Sequence, residues 1–493
     1  MWTRFQKLPL AISITALLIL MMMIPSLHGF YAGNEHQGRT FLYAVLLGLF
    51  TLGFMSLAVQ GERFSTHRHA QIWSLIGFFL GFPLFLAVPF HEVTNSGQFI
   101  NPYLDLVSTV TTTGLPVFAT GALSETLVIW RVCLGWASGF LIWVFAWSVF
   151  APLNLGGFEH LGVRGVAGDA SVHGSHSTAR TPAEKFWREA ARLGPIYVGI
   201  TAATTLALLV TSGDPIFAIL RAMSTIATFG IDIPGHSGGG WSSECIMMLV
   251  MMFALSRTTF STTFYQTINR QFHQDPELRV AALLITVAVV VLVFLSWGAS
   301  SGLLENIKAI WGAAFTSLSF LTTTGLTSDY LPEGLRGFGH ASVLIAALAI
   351  VGGGVATTAG GIKLLRVYIL AGHCKAEMDR LIAPSQVMAG RNEIMSKSYN
   401  NAMLACVFFV LFIFVFAGIT LGLTLMGSSV GEALHLTLAT VTNTGPLAQG
   451  AGGAHNVVIE LGTGAKMLLA FSMVFGRLEV LALLALLNPN IYS

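Results

Sequence analysis

The chain has 493 residues, 54% hydrophobic and only 10% charged, with a mean hydropathy of +0.73, whereas soluble domains carry about 25% charged residues. That balance excludes a soluble globular protein, and 25 Lys and Arg against 23 Asp and Glu leave no basic excess with which to hold nucleic acid. A bilayer core takes about 20 apolar residues per helix, so an all-α polytopic membrane protein with roughly ten spans, embedded in a lipid bilayer, is expected.

Ten apolar segments follow in chain order: Leu8 to Tyr31, Phe41 to Val59, Gln71 to Phe90, Leu127 to Phe150, Pro195 to Thr211, Cys245 to Gln266, Val280 to Trp297, Ala341 to Leu370, Asn401 to Leu425 and Ile459 to Leu487. The first outruns a signal-peptide core and continues through Ile24, Pro25 and Ser26 without a cleavage pattern, so it reads as a span. With both termini in the cytoplasm, most of the 25 basic residues fall on the cytoplasmic side, as the positive-inside rule requires. Glu92, Asp105, Asp214, Asp232, Asp329 and Glu333 fall outside, where they would concentrate cations at a pore mouth. Cys133, Cys245, Cys374 and Cys406 have no metal-site spacing and read as small buried apolar residues.

The connections after the third, fifth, seventh and ninth segments are apolar, and each holds a stretch of roughly 10 to 12 residues, too short to cross the bilayer and therefore re-entrant. Asn101-Pro102 and Asp214-Pro215 read as a capping side chain before a first-turn proline, and Ser429 to Glu432 as a capping box. Each short helix then runs into a related sequence: Ser108 to Gly114, Ser224 to Gly230, Ser319 to Gly325 and Ala439 to Gly445 align without gaps. A motif that recurs roughly every hundred residues is an architectural repeat. Unwound backbone at membrane depth must line water or be buried in protein, and carbonyls from four such segments can replace the hydration shell of a monovalent cation. Thr111, Thr112, Thr113, Gly114, Thr228, Phe229, Gly230, Thr323, Thr324, Gly325, Asn443, Thr444 and Gly445 are thus the candidate filter. The glycines are expected to supply positive φ and close approach, the threonines to steady the turns, and the helix C-termini to favour a cation. Nothing suggests an enzyme or a covalent cofactor; the ion itself is the cargo.

The four segments, the run Gly352-Gly353-Gly354-Val-Ala-Thr357-Thr358-Ala-Gly360-Gly361-Ile-Lys363-Leu-Leu-Arg366, and Phe475-Gly-Arg477-Leu-Glu479 together resemble the TrkH and KtrB potassium uptake family. Length and the two extra N-terminal spans fit the TrkH branch. The resemblance implies a pseudo-fourfold K+ pore, a homodimer, a TrkA-type cytoplasmic nucleotide-binding ring that controls opening, and a bacterial inner-membrane location. It also implies that the broken eighth segment forms a gate loop below the filter, with Gly352, Gly353, Gly354, Thr357, Thr358, Gly360 and Gly361 at the matching positions and Arg477 in contact with it. A charge inside a membrane helix is costly enough to point to function. Lys363 and Arg366 are expected at the cytoplasmic boundary.

The departures are Phe229 in place of threonine, Asn443 in the fourth repeat, and the glycine-free Ser256 to Phe264 where the second repeat would place a break. His173 and His176 lie in a stretch that reads as a flexible linker. The expected organisation is two N-terminal helices (1–70), a first pore repeat (71–165), a cytoplasmic linker (166–193), a second repeat (194–278), a third with the gate loop (279–398) and a fourth (399–493). The alternatives are a secondary active transporter driven by Na+ or H+, where broken helices are also usual, and a KdpA-like subunit of an ATP-driven pump.

Overall fold

The computed structural model describes residues 10–58, 68–119, 121–151, 182–235, 239–256, 275–296, 303–332, 335, 342–382, 392–451 and 454–478. Among the described residues every regular element is helical, as expected of chain that must satisfy its own backbone in lipid. The first span comprises α1 (Leu10–Met21) and α2 (Met23–Tyr31). The interruption at Met22 precedes Pro25, which has no amide to donate back to Met21. Then follow α3 (Glu35–Ala58), α4 (Arg68–Thr94), the short α5 (Ile100–Val110) and α6 (Glu125–Phe145), which continues as a π turn over Ala146–Phe150.

The second unit has α7 (Pro182–Ser212), the short α8 (Pro215–Ile226) and α9 (Gly240–Met252), with a 3-10 turn over Phe253–Leu255. The third has α10 (Pro276–Ser296), α11 (Leu303–Leu321), then α12 (Ser342–Val351) and α13 (Leu364–Ile382), separated by a loop. The fourth has α14 (Asn392–Leu425), α15 (Val430–Val441), a 3-10 turn over Gly445–Ala451, α16 (Ala454–Glu460) and α17 (Thr463–Leu478).

Seven helices are long and apolar enough to cross a membrane, and they coincide with seven of the ten expected spans. The other three correspond to α9, to the broken pair α12 and α13, and to α17; residues 257–274 and 479–493 lie outside the described part. The most apolar window of α6 is 83% buried, against 17% in α3 and in α10, so α6 lies inside the bundle and those two present their side chains outward. Only Cys133 is buried. Cys245, Cys374 and Cys406 are exposed, contrary to expectation, because each sits on an outward face of its helix.

The short helices also depart from expectation in two places. The first begins at Ile100 with Phe99 at its cap, so Asn101 is inside the helix and does not cap it; proline is tolerated anywhere in the first turn, where no amide bond is lost. The third, α11, has 19 residues. It is also the one whose sequence carries no start signal. The other two signals are realised. Asp214 accepts from the amides of Ile216 (3.0 Å) and Phe217 (3.1 Å), and Ser429 and Glu432 bond reciprocally as a capping box.

Candidate functional site

All four short helices end in one kind of turn. At the end of α5 the Thr112 amide donates to the Thr109 carbonyl (3.0 Å) and the Thr113 amide to the Ser108 carbonyl (2.8 Å), the bond pair with which a left-handed residue closes a helix C-terminus. The same pair recurs at Thr228 and Phe229, at Thr323 and Thr324, and at Asn443 and Thr444. The left-handed residue stands two before the glycine: φ is 51° at Thr112, 50° at Thr228, 57° at Thr323 and 53° at Asn443. Positive φ was expected of all four glycines, and only Gly114 (74°) and Gly325 (80°) have it. At Gly230 and Gly445 the requirement is space. A Cβ on Gly230 would lie 1.9 Å from the Thr324 carbonyl oxygen, and one on Gly445 would lie 2.2 Å from the carbonyl carbon of Gly114.

These approaches also order the segments around the centre. Gly114 faces Gly230, Gly230 faces Thr324, Gly325 faces Pro446, and the Gly445 amide donates to the Thr113 carbonyl at 2.7 Å. The four repeats therefore close a ring in chain order, with the negative ends of four helix dipoles converging on it.

Hydroxyl bracing is twofold rather than fourfold. Thr111 and Thr113 share a hydrogen bond of 2.8 Å and Thr322 and Thr324 one of 3.0 Å. Ser108 and Ser319, which sequence reasoning left out of the site, each accept an amide from beyond the glycine, Leu115 and Leu326, at 2.7 Å. Their signal was present as the serine that opens the repeated motif. Ser224 bonds the Arg221 carbonyl instead, and the fourth repeat has Ala439 there. Phe229 is fully buried in an apolar cluster with Val132, Phe217 and Leu220, and its ring lies where a Cβ on Gly135 would meet it at 2.7 Å. It braces its segment by packing. Asn443 Nδ2 lies 2.9 Å from both Thr113 Oγ1 and the Met473 carbonyl, tying the fourth segment to the first and to α17.

Two of the left-handed residues, Thr228 and Thr323, bond the loop between α12 and α13. Thr228 Oγ1 donates to the Thr358 carbonyl (3.0 Å), Thr323 Oγ1 accepts from the Gly360 amide (2.7 Å), and a Cβ on Gly360 would lie 2.0 Å from the Thr442 carbonyl. Thr112 Oγ1 accepts from Arg477 Nη2. Arg477, 6% exposed, also donates through Nε to the Thr111 carbonyl (2.7 Å) and through Nη1 to the Thr358 carbonyl (2.6 Å). One guanidinium thus joins the first candidate filter segment to the loop.

The loop is a true break. Gly352, Ala356, Gly361 and Lys363 have positive φ, and Cβ atoms on Gly352, Gly353, Gly354 and Gly361 would each come within 2.7 Å of a neighbouring carbonyl oxygen. Thr357 Oγ1 closes the loop on the Gly354 carbonyl at 2.8 Å. Lys363 and Arg366 are not boundary anchors. They are 7% and 1% exposed. Lys363 Nζ donates to the Ala359 carbonyl, Arg366 Nη1 donates to the Ile362 carbonyl (3.2 Å), and the Arg366 guanidinium lies 3.9 Å from the Phe408 ring centroid. Left-handed backbone at the loop's end turns both cations inward onto its carbonyls. Of the Ser256 to Phe264 stretch only Ser256 is described, and His173, His176, Glu333 and Glu479 lie outside the described residues.

Residues beyond the glycines line a cavity of about 390 Å³ that includes Gly114, Gly230, Gly325 and Pro446 together with Arg131, Arg221, Asp232, Glu244 and Asp329. The ring stands between this cavity and the loop. Asp105 does not face the cavity as expected. It is fully buried, with its Oδ2 2.9 Å from Arg131 Nε, because a carboxylate on the inner face of a buried helix must be paired.

Residues 196–488, more than half of the chain, match the family described as TrkH, cation transport protein. The chain belongs to the TrkH family. Among its TrkH-family relatives, the Trk system potassium uptake protein TrkH of Escherichia coli is 27% identical over 465 residues, 92% of this chain and 91% of the relative. TrkI of Halomonas elongata is 27% identical over 430 residues, 85% and 81% of the two chains. The crystal structure of the potassium transporter TrkH from Vibrio parahaemolyticus superposes with a TM-score of 0.74, covering 97% of each chain at 22% identity, and that likeness bears on the fold. TrkH-family membership and the apolar helices together make this a multi-pass membrane protein of the transport class.

Proposed function

We propose that the protein is a potassium uptake protein that passes K+ into the cell through a gated, channel-like pore. The observation that carries this reading is the ring of four helix-terminating turns, stacked on a loop that Arg477 ties to it. Carbonyls of the four segments, Thr111 to Gly114, Thr228 to Gly230, Thr323 to Gly325 and Asn443 to Gly445, take the place of water around K+, apart from those of Thr111 and Thr113, which accept from Arg477 Nε and the Gly445 amide. The cavity beyond the glycines is the outer mouth, where Asp232, Glu244 and Asp329 outweigh Arg131 and Arg221. The loop from Gly352 to Gly361 is the gate, held closed by Thr228, Thr323 and Arg477. The protein works in a bacterial inner membrane with both termini in the cytoplasm, as a homodimer on a TrkA-type nucleotide-binding ring, and is organised as two N-terminal helices and four pore repeats; the boundaries expected at 71, 194, 279 and 399 fall inside α4, α7, α10 and α14, so each repeat is taken to begin with its whole helix. The relatives' names as potassium uptake proteins support K+ as the cargo.

The test is purified protein in liposomes, with reversal potentials recorded under K+ and Na+ gradients at two pH values. The expected reversal follows the K+ gradient. A reversal set by a proton or solute gradient would replace this reading with a secondary transporter.

A further inference from the structure

The loop is held on its far side as well. The Gly354 amide donates to the Ala254 carbonyl at 3.0 Å, and a Cβ on Gly354 would lie 2.4 Å from the Leu255 carbonyl oxygen. The next amide, that of Val355, donates to Glu277 Oε1 at 3.0 Å. Glu277 is 2% exposed and Val355 fully buried. The carboxylate belongs to the first turn of α10, where Asp275 Oδ1 accepts the Glu277 amide (3.0 Å) and Asp275 Oδ2 accepts Ser256 Oγ (2.5 Å). A hydrogen-bonded line therefore runs from the end of α9, through the start of α10, to the tip of the loop.

A carboxyl group this buried is costly unless it is hydrogen-bonded. The contact at Ala254 is backbone to backbone, whereas the contact at Glu277 can be made or broken by the small movement of one side chain or one helix end. We propose that Glu277 is a positioning residue that latches the loop: its carboxylate holds Val355 and with it the obstructing form, and displacement of the first turn of α10 releases it. This inference rests on the reading of the loop as a gate.

The experiment is K+ flux through the full-length protein in liposomes. Glu277→Ala raises flux about tenfold, as expected when a buried amide loses its acceptor in one state only, and the K+ against Na+ reversal potential stays at the wild-type value. Glu277→Met, which fills the space without an acceptor, behaves as Glu277→Ala and separates the lost bond from lost packing. Glu277→Gln, which keeps an acceptor, stays within about twofold of wild type. A merely structural residue would shift reversal potential and lower flux together, and that result, or equal flux in the Gln and Ala variants, overturns the latch. Arg477→Ala is measured alongside. If it raises flux while Glu277→Ala and Glu277→Met do not, the latch falls and the gate stands; if none of the three raises flux, both fall.

Discussion

Three threonines and an asparagine carry the left-handed turns, in a conformation that costs a non-glycine L-residue about 1–2 kcal/mol. Glycine would remove that strain, so what the side chains do must outweigh it, and the contacts of Thr228 and Thr323 with the loop say what that is. Thr323 allows a clean separation. Thr323→Gly and Thr323→Ala both delete the hydroxyl that accepts the Gly360 amide, and both are expected to raise K+ flux in liposomes. Thr323→Gly is expected to be the more heat-resistant by about 1 kcal/mol, because alanine keeps the strained φ; thermal unfolding of the purified proteins checks the order. Asp105 offers a second test at this scale. Removing one member of a buried ion pair costs about 3–5 kcal/mol, so Asp105→Asn is expected to lower thermal stability markedly, and Asp105→Asn with Arg131→Met to recover part of it. Nothing in the local sequence marks Asp105 as internal. Its burial follows from the position of α5 inside the bundle, beside a helix that is itself enclosed.

The helices that matter most here are short and held at their ends. Asp214 caps α8 with two bonds, and Asp214→Ala is expected to destabilise the protein by about 1 kcal/mol, measured by thermal unfolding in detergent. Capping and breaking were legible in sequence because they depend on residue type over four or five positions: Asp214 before proline, Ser429 before Glu432, and glycine runs around Thr357 and Thr358. The start of α5 and the length of α11 were not. A proline near the start is compatible with more than one first residue, and α11 has no start signal in its sequence. The misassignment of positive φ at Gly230 and Gly445 has a similar origin. Glycine satisfies two different demands, a left-handed backbone or the absence of a Cβ, and the sequence shows only the glycine.

As a whole, the molecule is a ring of four unequal repeats, with bracing hydroxyls in the first and third, packing by Phe229 in the second and amide bonds from Asn443 in the fourth. Arg477 belongs to the fourth repeat, yet bonds the terminal turn of the first short helix and the loop of the third repeat. Arg477→Ala is therefore expected to raise cation flux severalfold without moving the K+ against Na+ reversal potential, since the backbone bonds that close the four proposed filter turns do not involve Arg477; liposome flux equal to or below wild type would count against a gating role. The sequence by itself determined the membrane class, the four aligned segments, the broken helix and the family resemblance, because lipid imposes apolar runs and a repeated unit leaves a repeated motif. Only the tertiary structure decided the order of the segments around the ring, which glycines are needed for φ and which for space, the inward turn of Lys363 and Arg366, and the reach of Glu277 to Val355. The ring order, the close approaches and the reach of Glu277 join residues from separate helices, so their geometry exists only once the four units have closed on one another, whereas Lys363 and Arg366 turn inward onto carbonyls four residues earlier because the loop breaks the helix there.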